Sequence, residues 1–211
     1  MRLLMSAGFM SAAALLSIAF AQNSSRKSEE FRKEFLEKFR RTSLNTTPGD
    51  AMMLRILAES SGAKRGIEVG AASGFGAINL GIAFERTGGH LYSMEIDPRR
   101  AREARENLAK VGLEKTVTVL EGDALELLPA FDGEVDFLFI DANKSDYLRY
   151  LKAIEPKLKK GAVVVADNTI VHAQAMADYL EYVQTSPNYD TVTIRASMEK
   201  NDGMTVSYKI R

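Results

Sequence analysis

From Gly66 onward the chain alternates short apolar runs with amphipathic stretches, and no other feature restricts its possible folds so tightly. The runs IEVG (67–70), LYSME (91–95), VTVLEG (117–122), VDFLFID (135–141) and AVVVAD (162–167) read as strands. Between them lie stretches such as PRRAREARENLAKVG (98–112), which sets Ala101, Ala104, Leu108 and Val111 on one helical face. Alternation of this kind builds right-handed βαβ units and hence a parallel sheet. A helix is expected near 172–186. Two further strand-like runs follow it, YDTVTIRAS and MTVSYKIR, with Asn201-Asp202-Gly203 as a hairpin turn between them.

Ahead of this pattern, SEEFRKEFLEKFRRTS (28–43) carries Phe31, Phe35, Leu36 and Phe39 on one helical face. Thr47-Pro48 then reads as an N-cap with proline at the first helical position, opening a helix through about Ser60. Residues 1–21 stand apart. Arg2 precedes an uncharged apolar run, Leu3 to Ala21, that closes on Ala19-Phe20-Ala21, the pattern of an export signal. The run is also nearly long enough for a membrane anchor, and a mis-assigned start would account for it as well. The expected organisation is thus 1–21 as signal or anchor, 22–46 as leader and N-terminal helix, and 47–211 as one domain. The expected location is exported, with a membrane-anchored or cytoplasmic chain as alternatives.

Composition removes several function classes. The 28 basic and 28 acidic residues balance, which gives no support to nucleic-acid binding. There is no cysteine, so thiolate metal sites, disulfides and thiol catalysis are excluded. His90 and His172 are the only histidines and leave little room for imidazole sites or triads.

The polar residues fall at the strand ends. Gly70, Glu95, Asp123, Asp141 and Asp167 each close a strand, and in an open α/β sheet those carboxyl ends face one crevice. EVGAASGFG (68–76) spaces its glycines G-x-x-x-G-x-G, a loop that brings backbone amides to a ligand or simply turns tightly. Glu95 suits a carboxylate accepting from both ribose hydroxyls, in a nicotinamide enzyme as much as in any other nucleoside-binding one. Asp123 either receives an adenine amino group or caps the next helix. Asp141, Asp167 and Asn168 offer only hard oxygen donors, which favour Mg²⁺, Mn²⁺ or Ca²⁺ over zinc. Lys144 would face the same pocket as a general base whose proton a nearby cation loosens, or else form a solvated ion pair with Asp141.

Four segments together resemble a known family: EVGAASGFG, YSMEIDP, FIDANKSDYLRYL and VVVADNTIV. They are similar to motifs of the small cation-dependent O-methyltransferases that use S-adenosylmethionine, the group of the catechol and caffeoyl-CoA enzymes. The resemblance runs from about Thr47 to the C-terminus. It implies a Rossmann-like class I methyltransferase, with a seven-stranded, mostly parallel sheet, a C-terminal antiparallel hairpin and helices on both faces. It further implies that Glu68, Gly70, Gly74, Phe75 and Gly76 shape the cofactor pocket, with Asp141 at its edge. Glu95 would hold the ribose, and Asp123 and Ala124 would flank adenine. Asp141, Asp167 and Asn168 would bind Mg²⁺, or Mn²⁺ or Ca²⁺, and Lys144 would take a phenolic proton.

The implied acceptor is a catechol or another vicinal-dihydroxy phenol, and a homodimer is the expected assembly. Phe75-Gly76 stands where many relatives have Tyr-Ser, and Ala142-Asn143 where the catechol enzyme has His-Trp. No clear match precedes Asp202-Gly203 for the acid that faces the second substrate hydroxyl; the nearest is Glu199. A nicotinamide oxidoreductase would need other glycine spacing and leaves Asp167 and Asn168 idle. A non-catalytic S-adenosylmethionine-binding module leaves the whole metal-and-lysine set idle.

Overall fold

A computed structural model describes residues 28–211. The signal or anchor segment and the polar leader lie outside the described residues. Helix α1 covers 28–37 and carries a row of rings, Phe31 on Phe35 at 6.3 Å and Phe35 on Phe39 at 5.8 Å between centroids. It belongs to a separate unit that ends at Phe39. Among the described residues no helix is long and apolar enough to cross a membrane.

The main unit begins at Arg40, not at Thr47, because residues 41–45 are part of its cavity wall. Its elements run α2 (Pro48–Ser60), β1 (Arg65–Val69), α3 (Phe75–Thr87), β2 (His90–Glu95), α4 (Pro98–Lys110), β3 (Val117–Glu121) and α5 (Ala124–Ala130). After these come β4 (Val135–Ile140), α6 (Tyr147–Ile154), β5 (Leu158–Ala166), α7 (Ala177–Thr185), β6 (Tyr189–Ile194) and β7 (Met204–Lys209). The seven strands form one sheet in the order β3-β2-β1-β4-β5-β7-β6. β1 to β5 are parallel, and β7 inserts antiparallel between β5 and β6. This is the Rossmann-like architecture, with its hairpin at the C-terminus.

Periodicity explains how the sheet is covered. Ile67, Val69, Leu138, Ile140, Val164 and Ala166 alternate onto one face, where they join Leu128, Leu151, Tyr179 and Val183 of the α5–α7 layer in one core. Phe137 points to the other face and meets Phe84 of α3 edge-on, at 6.2 Å between centroids. Burial on both faces is why the central strands read as continuous apolar runs. Each fully buried side chain of this size contributes roughly 1.5–3 kcal/mol, so the strand ends are held by a rigid base.

Thr47 caps α2 through its side chain, with Pro48 inside the first turn, as the sequence indicates. Two expectations need correction. The stretch near 172–186 is a 3-10 turn (Ala173–Met176) leading into α7, and not one helix. Asn201-Asp202-Gly203 does not close a tight hairpin; β6 and β7 are joined by all of 195–203. The reason is Asp202, whose buried carboxylate accepts the Ile170 and Val171 N–H groups and the Asn168 amide, tying this connection to the β5–α7 loop.

Candidate functional site

The strand order reverses between β1 and β4, so the connections that leave their carboxyl ends diverge and open a crevice there. The two ends are locked together: Asp141 N–H donates to Val69 O at 2.9 Å. Gly70 sits at φ 104°, and any Cβ on it would strike the Asp141 carbonyl oxygen. Glycine is required here by the left-handed backbone and by the close approach of the neighbouring strand end alike.

Above these ends lies a cavity of about 640 Å³, within the range of small-molecule sites. Gly70, Glu95, Asp123, Ala124, Asp141, Lys144, Asp167 and Asn168 all line it, although nearly a hundred positions separate the first from the last. Glu68, Gly74, Phe75 and Gly76 do not line it. Glu68 is buried beneath the loop, where it accepts from the Ser93 hydroxyl, and a Cβ on Gly76 would run into its other oxygen. Burial pushes the Glu68 carboxyl up to about 8; the Ser93 hydroxyl opposes this and the Asp141 and Glu95 charges add to it. Gly74 is the left-handed N-cap of α3, packed on Ala104. Glu95 accepts from the backbone N–H groups of Ala72 (2.8 Å) and Asp97 (3.0 Å), which fixes its carboxylate at the cavity edge. Asp123 caps α5 through Leu125 N–H at 2.8 Å and also lines the cavity.

The acidic end of the cavity is organised by cations. Lys144 Nζ donates to Asp141 Oδ1 and to the Tyr147 hydroxyl, both at 2.8 Å. The pair is not solvated, since the lysine and aspartate side chains are only 20% and 12% exposed. Tyr147 is fully buried and donates to the Asp167 carbonyl at 3.2 Å, so the lysine is held between two fixed acceptors. Burial, with the Asp141 and Asp167 charges adding, pushes the Tyr147 phenol well above its ordinary range and keeps it a donor.

Across the cavity, Lys200 Nζ lies 2.8 and 2.9 Å from the two Asp167 oxygens and 3.0 Å from Asp50 Oδ2. Burial pushes Asp167 up to about 6, the Asp141 charge adds to this, and Lys200 opposes it. Asp167 N–H donates to Ile140 O at 3.0 Å, so Asp141 and Asp167 leave adjacent strand ends. Asn168 takes a left-handed φ of 61°, which asparagine tolerates best among residues with a side chain. Its amide nitrogen donates to Asp202 at 3.0 Å, which leaves its carbonyl oxygen available as a cation ligand. Burial pushes Asp202 up, but the N–H groups of Val171 and Gly203 and the Asn168 amide outweigh this and hold it below the ordinary carboxylate range.

Asp141, Asp167 and Asn168 therefore present two carboxylates at adjacent strand ends and one free amide oxygen, a hard ligand set that fits Mg²⁺, Mn²⁺ or Ca²⁺. Among the described residues no cluster of three or more His, Cys, Asp or Glu side chains has metal-binding geometry; here the third donor is an amide. Lys200, Asp50, Tyr147 and Asp202 escape sequence reasoning. Thr47-Pro48 reads as a helix start without singling out Asp50, and Lys200 lies in a loop with no periodicity to place it. Glu199 is paired with Arg41 at 2.9 Å.

Comparison with known proteins agrees with this architecture. A family model described as O-methyltransferase matches residues 20–204. A catechol O-methyltransferase of Niastella koreensis is 31% identical over 131 residues, 60% of this chain and 59% of that protein. A catechol O-methyltransferase of Mycobacterium tuberculosis is 32% identical over 147 residues, 69% of this chain and 63% of its own length. The chain thus spans about six-tenths of these curated relatives. Among solved structures, cofactor-bound Rv0187 from MTB superposes with a TM-score of 0.76 at 26% identity, covering 87% of this chain and 89% of that one. The O-methyltransferase TomG from Streptomyces achromogenes, solved in complex with SAM, gives 0.76 at 24% identity over 87% of this chain and 90% of that one.

Proposed function

The chain belongs to the O-methyltransferase family, and we propose that it methylates a hydroxyl of a catechol-type phenol, using S-adenosylmethionine and a divalent cation. The observation that carries this reading is the joint position of Asp141, Asp167, Asn168 and Lys144 on one cavity wall, across two adjacent strand ends. The cofactor-bound relatives support the methyl donor. Gly70, Glu95, Asp123 and Ala124 would receive it, Glu95 at the ribose diol and Asp123 at adenine. When bound, the sulfonium would supply an electrophilic methyl group to the acceptor oxygen and keep the carbon–sulfur bonding pair, and a cation held by Asp141, Asp167 and Asn168 would acidify and orient the two hydroxyls of the acceptor.

The remaining work falls to the chain. Acting as the neutral amine, Lys144 would take the phenolic proton on its nitrogen lone pair while its N–H groups keep Asp141 and Tyr147. Its two anchors, Asp141 and Tyr147, hold that nitrogen at one point in the cavity, and orientation of this kind supplies much of the barrier lowering, up to roughly 7–11 kcal/mol.

Excess EDTA should abolish turnover of a catechol panel, and Mg²⁺ or Mn²⁺ should restore it; full activity in EDTA would rule out the cation. Tyr147→Phe removes one anchor of Lys144 and should lower kcat roughly 3–10-fold at unchanged KM, the worth of one hydrogen bond. A raised KM with kcat intact would place Tyr147 in substrate binding instead. Residues 3–21 are further proposed to direct export or anchoring, which N-terminal sequencing of the chain from separated cell fractions checks.

A further inference from the structure

Two lysines sit on the carboxylates that the proposed metal would use, Lys144 on Asp141 and Lys200 on Asp167, and the two partners of Lys200 are unlike. Asp167, on the cavity wall, spends both oxygens on the ammonium. Asp50, at the start of α2, is wholly buried and offers Lys200 only Oδ2, which also accepts from the Thr47 hydroxyl at 2.8 Å. Its Oδ1 is buried with no hydrogen-bond partner at all. A buried carboxylate oxygen left without a partner is unfavourable, so it is a standing acceptor for any donor that can reach it.

We propose that Lys200 is a resident counter-ion of the cation site. In the metal-free chain its ammonium neutralises Asp167. On cation entry it hands Asp167 over and moves wholly onto Asp50, whose free Oδ1 takes the released N–H. No proton or covalent bond changes hands; one cation replaces another at Asp167. The exchange has two consequences. It spares the empty site the repulsion between Asp141 and Asp167, which unpaired would loosen the β4 and β5 ends. It also ties metal occupancy to the 195–203 connection, because Lys200 and the Arg41-paired Glu199 are neighbours on it. Cation binding would therefore reposition the strip of chain that borders the acceptor end of the cavity.

This inference rests on the reading of Asp141, Asp167 and Asn168 as a cation site, and the two can fail separately. Mn²⁺ affinity is measured by calorimetry on the full chain, for wild type, Lys200→Met and Lys200→Arg, together with a Mn²⁺-soaked crystal of the wild type. Lys200→Met should bind Mn²⁺ about tenfold more tightly if the ammonium leaves Asp167 free about a tenth of the time. Lys200→Arg, which can fork onto Asp167, should bind it no better than wild type and remains informative should the methionine variant not fold. In the Mn²⁺ crystal the Lys200 ammonium should contact Asp50 alone. Equal affinity in all three chains, or Lys200 still on Asp167 beside bound Mn²⁺, would overturn the counter-ion role and leave the cation site standing. No Mn²⁺ uptake by any chain would overturn both.

Discussion

Replacing Lys144 by alanine should reduce kcat on a catechol by roughly 10²–10⁴-fold, the usual worth of a positioned general base. Cofactor and cation binding should survive, because Lys144 contributes to neither in the proposed assignment. The fold should survive as well: the side chain is one-fifth exposed, and its loss leaves only Asp141 and the Tyr147 hydroxyl to be resolvated at the cavity. The diagnostic comparison uses two acceptors. A nitro-substituted catechol gives up its proton far more readily than catechol itself, so it should recover a large part of the lost rate. An identical loss on both would show that Lys144 orients the acceptor and moves no proton.

Glu68→Gln should make the stability of the protein far less sensitive to pH. The Glu68 carboxyl is completely buried, and burial pushes it up to about 8 from an ordinary 4.5. The folded chain therefore holds this proton more tightly than the unfolded chain does, and the unfolded chain binds fewer protons across that interval. Stability from this group is fully present below about pH 4.5 and is lost as the pH rises towards 8, by roughly 3–5 kcal/mol over the whole span. Glutamine keeps the shape and the Ser93 hydrogen bond but cannot ionise. Urea unfolding of the cofactor-free chain at pH 5, 6.5 and 8 should show wild-type stability dropping relative to the variant. Parallel curves would mean that Glu68 is already ionised in the fold, balanced by some neighbouring charge.

Strand identity, strand polarity and the chemical content of the site were legible along the chain. Apolar runs ending in Gly70, Glu95, Asp123, Asp141 and Asp167 follow from local constraints: a parallel sheet buried on both faces demands continuous apolar segments, and its carboxyl ends are where polar residues can reach a ligand. The hairpin partners were also visible, since alternation and composition act within a few residues.

What the sequence could not supply was pairing between distant segments of similar local character. Asp202 reads as a turn residue, yet it organises the β5–α7 loop, because only folding brings the Ile170 and Val171 N–H groups within its reach. Asp50 follows the Thr47-Pro48 helix start with nothing in the sequence to single it out, and Glu68 reads as part of a glycine-loop motif. One is a buried anion facing Lys200, and the other is a neutralised wall beneath the cavity. Charge and burial depend on which surfaces pack together in three dimensions. The amino-acid order therefore determined which groups are present, and the tertiary contacts alone decided which of them confront one another and in what state of ionisation.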